Sequence, residues 1–201
     1  MRILHISDTH GHHQALTDLP KADIIVHSGD IGFAGTGIEF IEFADWFTKL
    51  DYRYKILVGG NHDAYMEEVN AKQIQEILPK DCYYLFHSGV TIEGLKFWGV
   101  PLYISENISG VYFDLIEKIP SDIDILVTHQ PPYGILDRSE PYHYGCKELY
   151  DKVSTIRPKY HLFGHIHDAY GIVETEHTTF VNASIVDEQY ELKNEAFVFE
   201  V

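Results

Sequence analysis

The chain has little cysteine, little positive charge and no long apolar run. Its two cysteines, Cys82 and Cys146, are too few for a disulfide framework, and neither has a second thiolate at zinc-ribbon spacing. Lys and Arg total 15 against 31 Asp and Glu, a formal net charge of −16. Most of such a surface repels a polyphosphate backbone, which disfavours a long nucleic-acid track. No apolar stretch is long enough to cross a bilayer, so no membrane span is expected. Met1 leads directly into a strand-like run, with no basic segment and secretory apolar region before it; the expected location is cytoplasmic. Linkers, low-complexity tracts and internal repeats are also missing. At 45% hydrophobic content, residues 1–201 are expected to bury a sizeable core as a single domain.

What the chain does have is short β-prone runs ended by polar residues. RILHIS, ADIIVHSG, YKILVGG, IDILVTH and YHLFGH are β-branched or aromatic runs closed by Gly, Asp, His or Asn, and read as buried strands. Ile38, Ile41, Ala44, Phe47 and Leu50 recur every three residues and predict a helix over 37–50. A second helix is predicted over 65–78, ended by Pro79, with weaker helical patterns near 110–118 and 146–156. From residue 82 the runs CYYLF, VTIEG and LKFWGV are too close for crossover helices and read as a meander or hairpins. GIVETEHTTFVNAS and EAFVFEV are also strand-like. One sheet does not easily hold both connection types. The expected class is therefore α/β, with two mixed sheets packed face to face and helices outside.

The polar residues at the strand ends fall in a repeated order: DTH at 8–10, GD at 29–30, GNHD at 60–63, TH at 128–129 and GHIH at 164–167. If the segments after the strands stay extended, Asp8 and His10 point the same way, as do His165 and His167. Three polar side chains directly after the buried-looking ILV of the third run are costly unless they are satisfied. Asp8, His10, Asp30, Asn61, His129, His165 and His167 are thus candidate metal ligands, placed beyond strand C-termini where α/β sheets carry their sites. Carboxylate, imidazole and amide oxygen without thiolate suit Mn²⁺, Fe or Zn²⁺, with Mg²⁺ disfavoured by the imidazoles.

The order of these blocks resembles the calcineurin-like metallophosphoesterase superfamily, over residues 8 to 167. ISDTHG, YKILVGGNHD, HLFGHIHDAYG and VNASIVDEQY resemble more closely its metallophosphodiesterase subfamily of brain-expressed proteins and bacterial relatives. The resemblance implies a four-layer α/β/β/α sandwich and a dinuclear centre, with Mn²⁺ the first expectation and Fe or Zn²⁺ the alternatives. It implies one ion held by Asp8, His10, Asp30 and His167, and another by Asp30, Asn61, His129 and His165. It further implies His62 and Asp63 as catalytic residues: His62 facing the scissile phosphate as ligand or general acid, Asp63 behind it as orienting partner. The implied reaction is in-line hydrolysis by a metal-bridging hydroxide, on a small phosphate ester that an acidic chain can still bind through its cations. The nuclease, phosphomonoesterase and non-catalytic, metal-pinned scaffold members of the superfamily stand as alternatives.

GDIGFAGTG carries no arginine behind Asp30, where the phosphoprotein-phosphatase branch has one that grips a dianionic monoester. That absence tilts the reading toward diesters, with cyclic nucleotides as one candidate. Arg138 is a candidate substitute, in a loop over 130–145 whose Tyr133, Tyr142, His143 and Tyr144 are candidates for a wall against an aromatic ester. His12 and His13 are expected at the rim of the site. His5 and His27 are expected in the core, and Phe97 and Trp98 between strands.

Overall fold

The computed structural model describes residues 1–201, apart from the side chain of Ile104. In chain order it runs β1 (Arg2–Ile6), β2 (Ile24–His27), α1 (Gly37–Lys49), β3 (Tyr54–Leu57), α2 (Ala64–Glu68), α3 (Ala71–Ile77) and β4 (Cys82–Tyr84). It continues with β5 (Ser88–Ile92), β6 (Leu95–Val100), α4 (Ile104–Ser109), α5 (Val111–Glu117), β7 (Ile125–Thr128) and a small hairpin of β8 (Arg138–Ser139) and β9 (Tyr142–His143). The last part is α6 (Lys147–Ile156), β10 (Tyr160–Phe163), β11 (Gly171–Glu174), β12 (Thr179–Asn182) and β13 (Phe197–Glu200).

Two mixed sheets result, in the orders β13-β1-β2-β3-β4 and β11-β12-β10-β7-β6-β5. Their facing sides form one apolar layer: Ile3, Ile24, Val26 and Ile56 from the first sheet meet Phe97, Ile125, Val127 and Leu162 from the second. On the outer face of the first sheet, Phe40, Phe43 and Phe47 of α1 pack with Leu4, Ile25 and Leu57. Each fully buried phenylalanine contributes ~1.5–3 kcal/mol. Tyr112 and Ile116 of α5 and Leu149 and Val153 of α6 cover the outer face of the second sheet with Leu126 and Phe163. The layers are therefore helix, sheet, sheet, helix, the sandwich implied by the motifs.

Local chemistry explains where the sequence reading and the structure part. α1 ends within a residue of expectation, and its start is fixed by a capping box in which the Thr36 side chain accepts from Glu39 N and Glu39 accepts from Thr36 N. Its buried face, however, is Phe40, Phe43, Ala44 and Phe47, whereas Ile38 and Ile41 are 72% and 58% exposed. A strict three-residue spacing drifts about 60° per step around a helix of 3.6 residues per turn, so it cannot keep one face. The helix expected over 65–78 is two, because Val69 is extended and the Asn70 side chain accepts from Lys72 N, starting a new helix. Residues 104–117 likewise split at Gly110, which is left-handed at φ 78°. CYYLF is not part of a meander: β4 pairs parallel to β3 after a crossover through α2 and α3, and of the three runs from residue 82 only the last two, as β5 and β6, form a hairpin.

The parallel strands bring the chemistry to one end. Ile6, His27 and Leu57 lie side by side across β1, β2 and β3, so the segments after them leave the first sheet together. β7 and β10 are parallel neighbours in the second sheet and leave it on the same side. Beyond the strands, Ser7 bridges to Ser184 through Ser7 N–Ala183 O (2.9 Å) and Ile185 N–Ser7 O (3.0 Å), which ties the two sheets together beside the exits. Among the described residues, no helix is long and apolar enough to cross a membrane.

Candidate metal centre

Four of the seven candidate ligands sit in left-handed backbone: Asp8 (φ 54°), His10 (40°), Asp30 (57°) and His165 (70°). The extended-segment argument for Asp8 with His10 and His165 with His167 is thereby corrected; the chain reverses sharply at each strand end. Each such residue costs of order 1–3 kcal/mol and persists only where neighbours over-determine it. Here they do. His10 N donates to Asp30 O (3.1 Å) and His62 N to Asp30 Oδ1 (2.8 Å), while His165 N donates to both Asp8 oxygens and Ser184 Oγ to Asp8 Oδ2 (2.8 Å). Gly29, at φ 109°, leaves room for the His129 ring where a Cβ would collide with it.

These turns draw the side chains into one cluster. Asp8, His10 and His167 can meet one ion, as can Asp30, His129 and His165, and His10, Asp30 and His62; within each group the ligand atoms lie within 4.8 Å of one another. His167 Nε2 is 3.5 Å from Asp8 Oδ1 and 3.3 Å from His10 Nε2, and His10 Nε2 is 3.7 Å from Asp30 Oδ2. On the other side, His129 Nε2 is 3.3 Å from Asp30 Oδ2 and 3.0 Å from Asn61 Oδ1. Asp30 therefore stands between the two halves.

The donor set fits cations. His129 Nδ1–H donates to Ser28 O (2.9 Å) and His167 Nδ1–H to Asp187 O (3.0 Å), so in the neutral rings Nε2 is a bare lone pair. For His129 that lone pair faces a carboxylate and an amide oxygen, three acceptors with no proton between them. Without a cation, relief takes a second proton on the ring or a rotated Asn61 amide that donates to it. Burial opposes that proton, but Asp30, Asp8 and the Ser28 carbonyl together push His129 up to about 9. Asp8 behaves in the same way: burial raises its carboxyl, and His167, His129 and His10 hold it well below the usual carboxylate range. Burial and the His129 imidazole push His165 down to about 4, leaving it a neutral ligand. Concentrated acceptors that demand positive charge are what a divalent-ion site requires.

His62 is at the edge of this cluster, its ring 5.0 Å from that of His10. Its Nδ1–H donates to Phe33 O (2.9 Å), which leaves Nε2 free of that carbonyl on a ring that lines the cavity. Phe33 thus occupies the orienting position that the motifs assign to Asp63. The Asp63 carboxylate instead lies beneath the loops, 2% exposed, accepting from Gly60 N (2.8 Å), Asp30 N (2.9 Å) and Ile31 N (3.0 Å). It fastens the β2 exit to the β3 exit; burial and the charge of Asp30 push its carboxyl above the ordinary value.

A cavity of about 370 Å³ opens over the cluster, lined by His10, Asp30, Asn61, His62, His165 and His167 together with Ser139, Tyr144, Ile166, Asp168, Glu188 and Tyr190. Asp168 and Glu188 share the Ser139 hydroxyl, at 2.9 and 3.2 Å. Tyr190 crosses the His10 and His167 rings at 4.8 and 5.2 Å between centroids. The sequence reading missed Ser139, Asp168, Glu188 and Tyr190 as lining; Asp168 lies in HLFGHIHDAYG and Tyr190 in VNASIVDEQY, so their place beside the histidine block was the available signal.

Other expectations change. Arg138 pairs with Glu140 (2.9 Å), both more than half exposed, and does not line the cavity. Of the proposed aromatic wall only Tyr144 lines it. Tyr133 packs on His143 and Lys147, and Tyr142 is 64% exposed. The loop is held by Asp137, buried, which accepts from Gly134 N (2.8 Å), Gly145 N (3.1 Å) and the His143 ring (2.7 Å). His12 is exposed, whereas His13 is buried between Phe43 and Trp46 rather than at the rim. His5 and His27 are fully buried, as expected.

Comparison with known proteins agrees with this geometry. The family model described as calcineurin-like phosphoesterase matches residues 1–169. The Caenorhabditis elegans UPF0046 protein K07C11.7 is 31% identical over 99% of this chain and 74% of its own length. Metallophosphoesterase domain-containing protein 1 of Homo sapiens is 32% identical over 100% of this chain and 71% of its own. A solved structure with 14% identity superposes with a TM-score of 0.67, covering 99% of this chain and 98% of that one, a likeness of fold alone.

Proposed function

The chain belongs to the calcineurin-like phosphoesterase family, and from that premise we propose that it hydrolyses small phosphodiesters with two divalent cations. Asp8, His10, Asp30 and His167 would hold one ion and Asp30, Asn61, His129 and His165 the other, with Mn²⁺ the favoured metal and Fe or Zn²⁺ compatible with the same donors. Bound there, the ions supply Lewis acidity toward a phosphoryl oxygen and a water of lowered pKa.

The chain's own residues do the rest. Asp30 connects the two ligand sets and, through His62 N–Asp30 Oδ1, fixes the backbone that carries His62. His62, held by the Phe33 carbonyl through Nδ1, keeps Nε2 free on a ring that lines the cavity. When protonated it donates a hydrogen bond to the phosphate or a proton to the departing alkoxide oxygen. Tyr190 packs on the open side of His10 and His167 and limits water there.

Preference for a diester rests on one observation. Among the described residues no Lys or Arg lines the cavity, whereas Asp168 and Glu188 do. A dianionic monoester would bring an extra charge past two carboxylates with no protein cation to receive it; a monoanionic diester would not. The test is the ratio of activities of the Mn²⁺-reconstituted protein on bis-p-nitrophenyl phosphate and p-nitrophenyl phosphate. A ratio above one is expected. A monoester preference would overturn the diester assignment, and inactivity on both with metal bound would point to a scaffold.

A further inference from the structure

A second cavity of about 330 Å³ adjoins the first, lined by Asn61, Leu102, Tyr103, Asn107, Ile108, Gln130, Tyr144 and His165. Three of these, Asn61, His165 and Tyr144, line both cavities. The half of the centre held by Asn61 and His165 therefore stands where two chambers meet, with His62 in the first chamber only.

We propose that this second chamber is a subsite for one of the two ester substituents, and that it selects an uncharged aromatic or heterocyclic group. The inference rests on the diesterase reading above. A phosphate placed over the junction directs one substituent toward His62 and the acidic chamber, and the other into the second chamber. The two chambers differ in chemistry. The first carries Asp168 and Glu188; the second carries no Asp, Glu, Lys or Arg. Its lining combines Leu102 and Ile108, the tyrosines Tyr103, itself buried, and Tyr144, and the two amides of Asn107 and Gln130. That mixture, mostly apolar with a few polar groups at the edge, suits a planar ring with hydrogen-bonding positions on its rim. Its volume lies within the range of small-ligand pockets.

The walls are built rather than incidental. Gln130 Nε2 donates to Tyr144 O (3.1 Å), which joins the start of the 130–146 loop to its end and leaves the amide oxygen as an acceptor. Tyr144 N donates to Asp137 O (2.9 Å), so Tyr144 is held through the same buried Asp137 that organises the loop. On the opposite wall, the Tyr103 hydroxyl is hydrogen-bonded to Tyr84, and the ring packs at Gly59, just before the Asn61 turn. Asn107 and Ile108 lie on α4, exposed, and among the described residues no hydrogen bond joins them to a candidate ligand.

Calorimetric binding of diphenyl phosphate and dimethyl phosphate to the zinc-loaded protein tests this, alongside turnover of bis-p-nitrophenyl phosphate. The wild type should bind diphenyl phosphate at least about tenfold more tightly, the size of one aromatic contact. Asn107→Trp, which fills the chamber from an exposed helical position, should cut that ratio to about twofold. Gln130→Ala, which shortens the wall, should lower it less. Equal affinities in the wild type, or an Asn107→Trp ratio unchanged in a folded protein, would overturn the subsite. The parent reading fails separately: a protein with the expected affinity ratio that turns over no diester keeps the subsite and loses the diesterase assignment.

Discussion

His161 lies inside β10, level with Leu126 of the neighbouring parallel strand β7, and His129 directly follows the last residue of β7; both are fully buried. Their chemistry is opposite. His161 lies inside its strand, its Nε2 hydrogen-bonded to Thr128 Oγ1 (2.9 Å), with no carboxylate beside it, and burial pushes it down to about 3. His129 lies just past its strand end, where Asp30 meets it at 3.3 Å and, with Asp8 and the Ser28 carbonyl, pushes it up to about 9 against burial. His5 and His27 repeat the first case, with burial driving each to about 3. The comparison separates two populations of histidine. Inside the strands they are neutral and serve hydroxyl partners; at the strand exits they face Asp8 and Asp30 and are the candidate metal ligands. Three residues along the strand direction separate the level of His161 from that of His129.

The most damaging way to break the comparison is to remove the carboxylate that makes the exits different. Asp30→Asn should lose bound metal and reduce diesterase activity to background, measured by elemental analysis and turnover together. Full metal content in that variant would refute the bridging role. His62→Ala should separate chemistry from metal binding: kcat is expected to fall ~10²–10⁴-fold with metal content unchanged. Equal metal loss in both variants would erase the distinction between ligand and acid.

The interior histidines predict a pH effect on folding. Their folded pKa lies below the unfolded value of about 6.5, so below that pH the unfolded chain binds more protons than the native one. Stability present above pH 6.5 is therefore lost as pH falls toward about 3, with a slope of up to ~1.4 kcal/mol per pH unit for each histidine. Urea unfolding from pH 7 to pH 5 measures it; a flat profile would mean that these rings take protons in the native state. A smaller effect sharpens the same line. His161→Gln should cost ~1–3 kcal/mol through the Thr128 hydroxyl and reduce the acid slope, while metal content stays that of the wild type.

How much of this is legible in the sequence follows from which interactions are local. The strand exits are legible because Asp, Asn and His directly after β-branched runs are anomalous for a core, and the structure draws all seven of them together. The sandwich is legible because parallel crossovers and hairpins occur in one chain. The buried face of α1 is misread because regular spacing looks like a stripe even when it drifts around the helix; Phe40, Phe43, Ala44 and Phe47 form the buried side. Arg138 reads as a phosphate ligand from its neighbourhood in sequence, but a local partner, Glu140, holds it outward. Tyr190, Asp168 and Glu188 reach the cavity through loops whose paths depend on tertiary contacts, such as His167 with the Asp187 carbonyl. The left-handed turns at Asp8, His10, Asp30 and His165 are invisible for the same reason: long-range hydrogen bonds impose them.

Anomalous diffraction from crystals grown with Mn²⁺ tests the central claim most directly. Two peaks are expected about 3.5–4 Å apart, one among Asp8, His10, Asp30 and His167 and one among Asp30, Asn61, His129 and His165, with Asp30 common to both. A protein that binds Mn²⁺ elsewhere, or that shows no peak beside Asp30 at saturating metal, would contradict the account.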